Sequence, residues 1–220
     1  MRTLSHETRR ETGGFTVIEC LVMVTILAVV FTSAISIGNS GRRAFEQNNS
    51  AAQLDALARR TLERVAVELT PAVRTSLAPN AQGPLGTSTL AFRVSQGVAG
   101  GVLQTSSLTQ LRWQQDPDDA NDGIDNDGDG AVDEGEIVLT RNLGDADEIS
   151  TVIARDVAEY LEGETANLAD DNGNGLTDER GFSISADADG TVTIRISFIT
   201  LDPDRRVTWR TVETGVHMRN

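Results

Sequence analysis

One cysteine, two histidines and no lysine: the residues this chain lacks exclude more chemistry than those it has. Cys20 lies inside an apolar run, so no disulfide can close within the chain, and a zinc site of several thiolates is excluded. His6 and His217 are too few and too far apart in sequence for a histidine metal site or a Ser-His-Asp arrangement. There is no Gly-rich phosphate loop ending in Lys, and so no visible apparatus for nucleotide chemistry. All 19 basic residues are Arg and 33 acidic residues outnumber them, for a net charge of −14. Phosphate neutralisation needs the opposite balance, so nucleic acid is not an expected partner. Aromatic residues are 4% of the chain, too few to spare for a stacking platform. No paired acid/base or nucleophile constellation stands out, and the chain is not expected to be an enzyme.

What the chain does have begins with an apolar run. Residues 15 to 37 read FTVIECLVMVTILAVVFTSAISI, 23 residues with Glu19 as the one carboxylate. As a helix this is long enough to cross a hydrocarbon layer of about 30 Å. Arg2, Arg9 and Arg10 stand before it against Glu7 and Glu11, a modest positive excess expected to hold that end in the cytoplasm and the rest of the chain outside. The small pair Gly13-Gly14 precedes the apolar run, whereas an ordinary secretory signal carries its cleavage site after it. A cut there preserves the helix.

In GGFTVIE the residues Gly14, Phe15 and Glu19 match, position for position, the signature of the type IV prepilin and pseudopilin family, which this chain resembles. The resemblance implies removal of a leader, residues 1–14, by a prepilin peptidase, and N-methylation of the new terminus at Phe15. It also implies assembly with other pilin or pseudopilin subunits through the helix, on an inner-membrane platform. A carboxylate facing lipid costs on the order of 2.5–3.5 kcal/mol, so Glu19 needs a partner. The family implies one, the N-terminal amine of a neighbouring subunit.

Beyond the membrane segment, Leu54, Ala58, Leu62, Val65, Leu69 and Val73 recur at steps of three or four, one face of an amphipathic helix. This predicts that the helix continues over residues 38–76 and ends in the low seventies near Pro71, with Gly38 and Gly41 as soft points. QLDALARRTLERVAVELTPAV and the closing VETGVHMRN resemble PilW-like minor pilins and the minor pseudopilin J of type II secretion.

From residue 77 the pattern turns to short β runs, at 89–95, 108–115, 136–142, 151–162, 191–201 and 206–220, with turn chemistry in DADG and DPDR. The expectation is an α+β chain, a long N-terminal helix packed on an antiparallel sheet in a pilin-like domain over 77–220.

Residues 116–136 carry ten carboxylates and no base. Within them Asp125, Asp127, Asp129, Ala131, Asp133 and Glu136 fall at positions 1, 3, 5, 7, 9 and 12 of a calcium loop of EF-hand type. Alternate residues offer oxygen to a hard cation, Gly130 permits the turn and Ala131 offers its carbonyl. Residues 170–181 repeat the first part with Asp170, Asn172, Asn174, Leu176 and Asp178, but position 12 is Gly181. Ca2+ is thus the expected cofactor, in the first loop above all. The expected function is a structural subunit of a type II secretion pseudopilus in the bacterial inner membrane. The alternatives are a minor pilin priming a surface pilus and a membrane-tethered calcium-binding adhesive module.

Overall fold

The computed structural model describes residues 14, 16–128, 131–201 and 206–218. The leader, Phe15, Asp129, Gly130 and the DPDR turn, on which several of the expectations above fall, lie outside the described residues apart from Gly14. The chain divides into two compact units, Met1–Glu46 and Gln47–Asn220.

Helix α1, Val17–Leu69, runs without a break through Gly38 and Gly41. Its start is a capping box. Thr16 donates its backbone N–H (2.8 Å) and hydroxyl (2.9 Å) to Glu19, and the Glu19 N–H donates to Thr16 Oγ1 (3.3 Å). Two of the donors that a helix N-terminus leaves unsatisfied thereby find acceptors. From Val17 to Phe45 every residue is exposed, and the stretch is long and apolar enough to cross a membrane. Its hydroxyls bond inside the helix. Thr25 donates to the Leu21 carbonyl (2.6 Å), Thr32 to Ala28 (2.8 Å) and Ser33 to Val29 (2.9 Å), the arrangement a span in hydrocarbon would require.

In the second unit the helix becomes one-sided. Leu54, Ala58, Thr61, Val65 and Leu69 are buried, at steps of four and three. Thr61, not the expected Leu62, takes the central position, and Leu62 packs half-buried at the edge. The α-helix stops at Leu69, short of the expected 76, because Pro71 has no N–H to continue it and disfavours helical geometry at Thr70. A turn and a short 3-10 segment, Arg74–Ser76, follow.

The helix covers a seven-stranded antiparallel sheet. Its strands are β1 (Thr89–Phe92), β4 (Thr109–Gln115), β5 (Gly135–Arg141), β6 (Ile149–Val157), β7 (Phe182–Ala186), β8 (Thr191–Leu201) and β9 (Val207–His217). The order is β1-β4-β5-β6-β8-β7, and β9 pairs with β8 along its whole length, from Thr191↔His217 to Leu201↔Val207. β6 and β7 therefore share the other edge of β8, at Phe198 and over 192–196. The alternation in β8 sets the core: Val192, Ile194, Ile196 and Phe198 are fully buried in one cluster with the helix stripe, Leu90, Phe92, Leu111, Ile137 and Phe182. Ile199, one residue on, belongs to a second, smaller cluster with Ala131, Ala158 and Trp209.

Two elements depart from the expected strands. The run 89–95 divides at Phe92 because the chain leaves the main sheet for a separate hairpin, β2 (Ser95–Ala99) and β3 (Val102–Thr105). Gly100-Gly101, both at positive φ, make the two-residue turn that matches strand twist, a signal present in VAGGV. The run expected at 151–162 ends at Val157, where the chain turns into the second acidic loop.

Replacing Phe198, fully buried in the main cluster, by Ala is expected to cost about 3–5 kcal/mol in urea unfolding of the detergent-solubilised chain. Val98→Ala, on the exposed hairpin, should stay within about 0.5 kcal/mol. Equal losses would mean that the core lies elsewhere.

Candidate functional site

Both acidic segments leave the same end of the sheet. The first joins β4 to β5, beyond the pair Gln115↔Gly135, and the second leaves β6 at Val157, which pairs with Gly135. The two loops are built alike with an offset of 45 residues. At each root a buried carboxylate accepts two backbone N–H groups: Asp119 from Asn126 (2.8 Å) and Asp133 (2.7 Å), Glu164 from Asn172 (3.1 Å) and Asp178 (3.0 Å). At each exit an Asp in the left-handed region does the same. Asp133 (φ 55) accepts from Asp122 (2.8 Å) and Gly123 (2.9 Å), and Asp178 (φ 49) from Asn167 (3.0 Å) and Leu168 (3.1 Å). Asp125 Oδ1 accepts from the Gly128 N–H (2.6 Å) as Asp170 Oδ1 accepts from Gly173 (2.7 Å). The shared motif extends upstream of position 1, to Asp119 and Glu164. Sequence reading missed this, although [DE]-x-x-[DN] recurs at the same offset in DAND and ETAN.

The loops differ at their centres. In the second, the Asn172 and Asn174 amides donate to Glu179 at 3.3 Å and 2.9 Å, and Arg195 Nη1 lies 3.3 Å from the same fully buried carboxylate. Its own amides thus hydrogen-bond it and one arginine balances its charge. The first loop has a buried carboxylate, Glu134, where the second has Glu179, but Asp127 and Asp129, acceptors when ionised, where the second has the donor amides of Asn172 and Asn174. Asp127 is exposed, Ala131 is buried, and Asp129 lies outside the described residues.

Glu136, expected at position 12, belongs to β5. It is buried there, accepts from Gln114 Nε2 at 2.6 Å and faces Arg155 Nη1 at 3.4 Å, the same guanidinium that bonds buried Asp116 at 2.7 Å. In the second loop the corresponding Gly181 admits no side chain, because a Cβ there would fall onto the Ala158 carbonyl. Among the described residues no three His, Cys, Asp or Glu side chains converge closely enough to hold a metal. Of the expected ligands in the first loop, Asp125 and Asp133 accept backbone N–H groups of the loop itself, and Glu136 is engaged by Gln114 and Arg155.

Electrostatics at the roots favours the ionised form. Burial alone would raise the Asp119 carboxyl, but the N–H groups of Asn126 and Asp133 outweigh it and hold the group below its ordinary 3.8. The Thr165 hydroxyl and the Asn167 amide lower Asp171 similarly.

At the other predicted site, Gly14 is exposed and Glu19 is held within its own chain by Thr16. Comparison with family models, curated proteins and solved structures finds no match.

Asp119→Asn is expected to destabilise the chain by about 1.5–3 kcal/mol at neutral pH, the range for hydrogen bonds to a charged group. Because the folded-state pKa lies below the unfolded one, the wild-type advantage is complete above about pH 3.8 and is lost as pH falls through the folded value. Urea midpoints of the two chains should therefore converge below that pH. A gap that stays constant into acid would show that Asp119 does not hold the loop as a carboxylate.

Proposed function

We propose that the chain is a type IV pilin-like minor subunit, cut after Gly14, methylated at Phe15 and assembled through its N-terminal helix. The reading rests on the conjunction at residues 14–37. A Gly-Phe pair and a Glu five residues after the Gly stand at the very start of an exposed apolar helix, and the same chain carries an antiparallel β domain. The helix resides in the bacterial inner membrane, with the β domain outside. The capping box gives Glu19 a partner while the subunit waits in the bilayer, which lowers the cost of holding a carboxylate there. On assembly the amine of a neighbour's Phe15 approaches the same carboxylate, whose Oε2 takes both Thr16 donors, so docking sets an ion pair against one local hydrogen-bond set. A pseudopilus of type II secretion is the favoured destination and a surface pilus the alternative.

The first acidic loop takes one Ca2+ through Asp125, Asp127, Asp129, the Ala131 carbonyl and Asp133, where the second loop has the neutral amides of Asn172 and Asn174 and the cation of Arg195 around Glu179. Binding to the folded form alone stabilises it, in a chain that has no disulfide to do so.

N-terminal sequencing of the membrane form should find methylated Phe15 as the first residue. A chain that still begins upstream, in cells with an active prepilin peptidase, overturns the assignment. Calcium should raise the melting temperature of the full chain in detergent with one ion bound, and Asn172→Asp with Asn174→Asp should create a second site. The absence of any shift at millimolar calcium removes the metal.

A further inference from the structure

A cleft of about 720 Å³ opens between the two acidic loops. By strand alternation it lies on the face of β8 opposite the one that Phe198 presents to the helix, over the small cluster of Ala158, Ile199 and Trp209. The rim carries three carboxylates, Asp133, Glu159 and Glu164, and no basic side chain lines it among the described residues. Arg180, close by, pairs with Glu159 and stacks over the Tyr160 ring at 4.5 Å from its centroid.

We propose that this cleft binds a guanidinium-bearing segment of a partner protein, its aliphatic stem on Trp209 and Ile199 and its cation facing Glu159 and Asp133. The volume falls within the range of about 300–1,000 Å³ common to ligand sites. An acidic rim repels anions. An indole and an aliphatic floor give no advantage to a small hydrated ion, but they suit a weakly hydrated planar cation with an apolar stem. The Glu159 carboxylate is already shared, Oε1 with Arg180 and Oε2 with the Asn121 amide at a long 3.4 Å, with Tyr160 also bonded to it, and an ionised carboxylate keeps lone pairs for a further cation. Filament assembly does not enter this inference; Asp133 is also a donor of the calcium site proposed above, so the cleft is tested with and without that ion.

The test uses the full chain in detergent, with tryptophan emission read during titration with N-acetyl-arginine amide, in millimolar calcium and again in EDTA. Trp113, whose indole N–H donates to the Val157 carbonyl at 3.0 Å, serves as an internal reporter of the folded core. A saturable change is expected in at least one buffer, lost in Trp209→Phe, weakened by salt and weakened about three- to fivefold in Glu159→Gln. An equal response to the neutral isostere N-acetyl-citrulline amide overturns the proposal, as does a response to methyl glucoside in place of the arginine derivative. Silence in both buffers, or salt-independent binding, does the same.

Discussion

A sheet of seven strands has two faces, and in residues 47–220 the apolar stripe of α1 covers one of them. Leu54, Ala58, Val65 and Leu69 enter a single cluster with the inward residues of β1, β4, β5, β7 and β8. Leu57, Leu62 and Ala66 pack half-buried beside them, and polar contacts lie at the margins. Arg141 reaches Glu68 at 2.7 Å and Arg210 reaches Asp55, both exposed pairs of the kind that contributes about 1 kcal/mol or less. The core therefore fixes which sheet face is inside, and this places the ends of β4, β5 and β6, from which both acidic loops spring.

At those ends the chain has to hold many carboxylates close together. It does so largely with backbone N–H groups: Asp119, Asp133, Glu164 and Asp178 each accept two, bringing distant parts of each loop onto one carboxylate. Charge-assisted bonds of this type are roughly twice as strong as neutral ones, and they make the acidic residues part of the framework. Arginines complete the neutralisation at the base, where Arg155 serves Asp116 and Glu136, and Arg195 serves Glu179.

The N-terminal unit follows a different rule, since nothing in it is buried by its own chain between Val17 and Phe45. Its polar groups are satisfied locally, through the Thr16–Glu19 box and hydroxyls bonded back to the preceding turn. Thr16 is the first residue of a T-x-x-E box legible in the sequence, and a partner for the lipid-facing Glu19 is thereby found three residues away.

The long helix, the β character of the remainder and the strand 191–201 were legible in the sequence because each rests on a periodicity carried by neighbouring residues: continuous apolarity, steps of three or four, strict alternation. The spacing of both acidic loops was legible for the same reason. The separate β2–β3 hairpin and β7 were too short to produce a period, and the stop at Leu69 depended on how far Pro71 reaches back. Tertiary structure alone decided the fate of individual carboxylates. Glu136 and Glu134 stand two residues apart in one acidic run, yet strand pairing commits Glu136 to Gln114 and Arg155, and Glu164 acts on Asp178, 14 residues away. Local spacing specifies which oxygens a loop can offer; the strands to which its ends are tied determine which of them are already engaged.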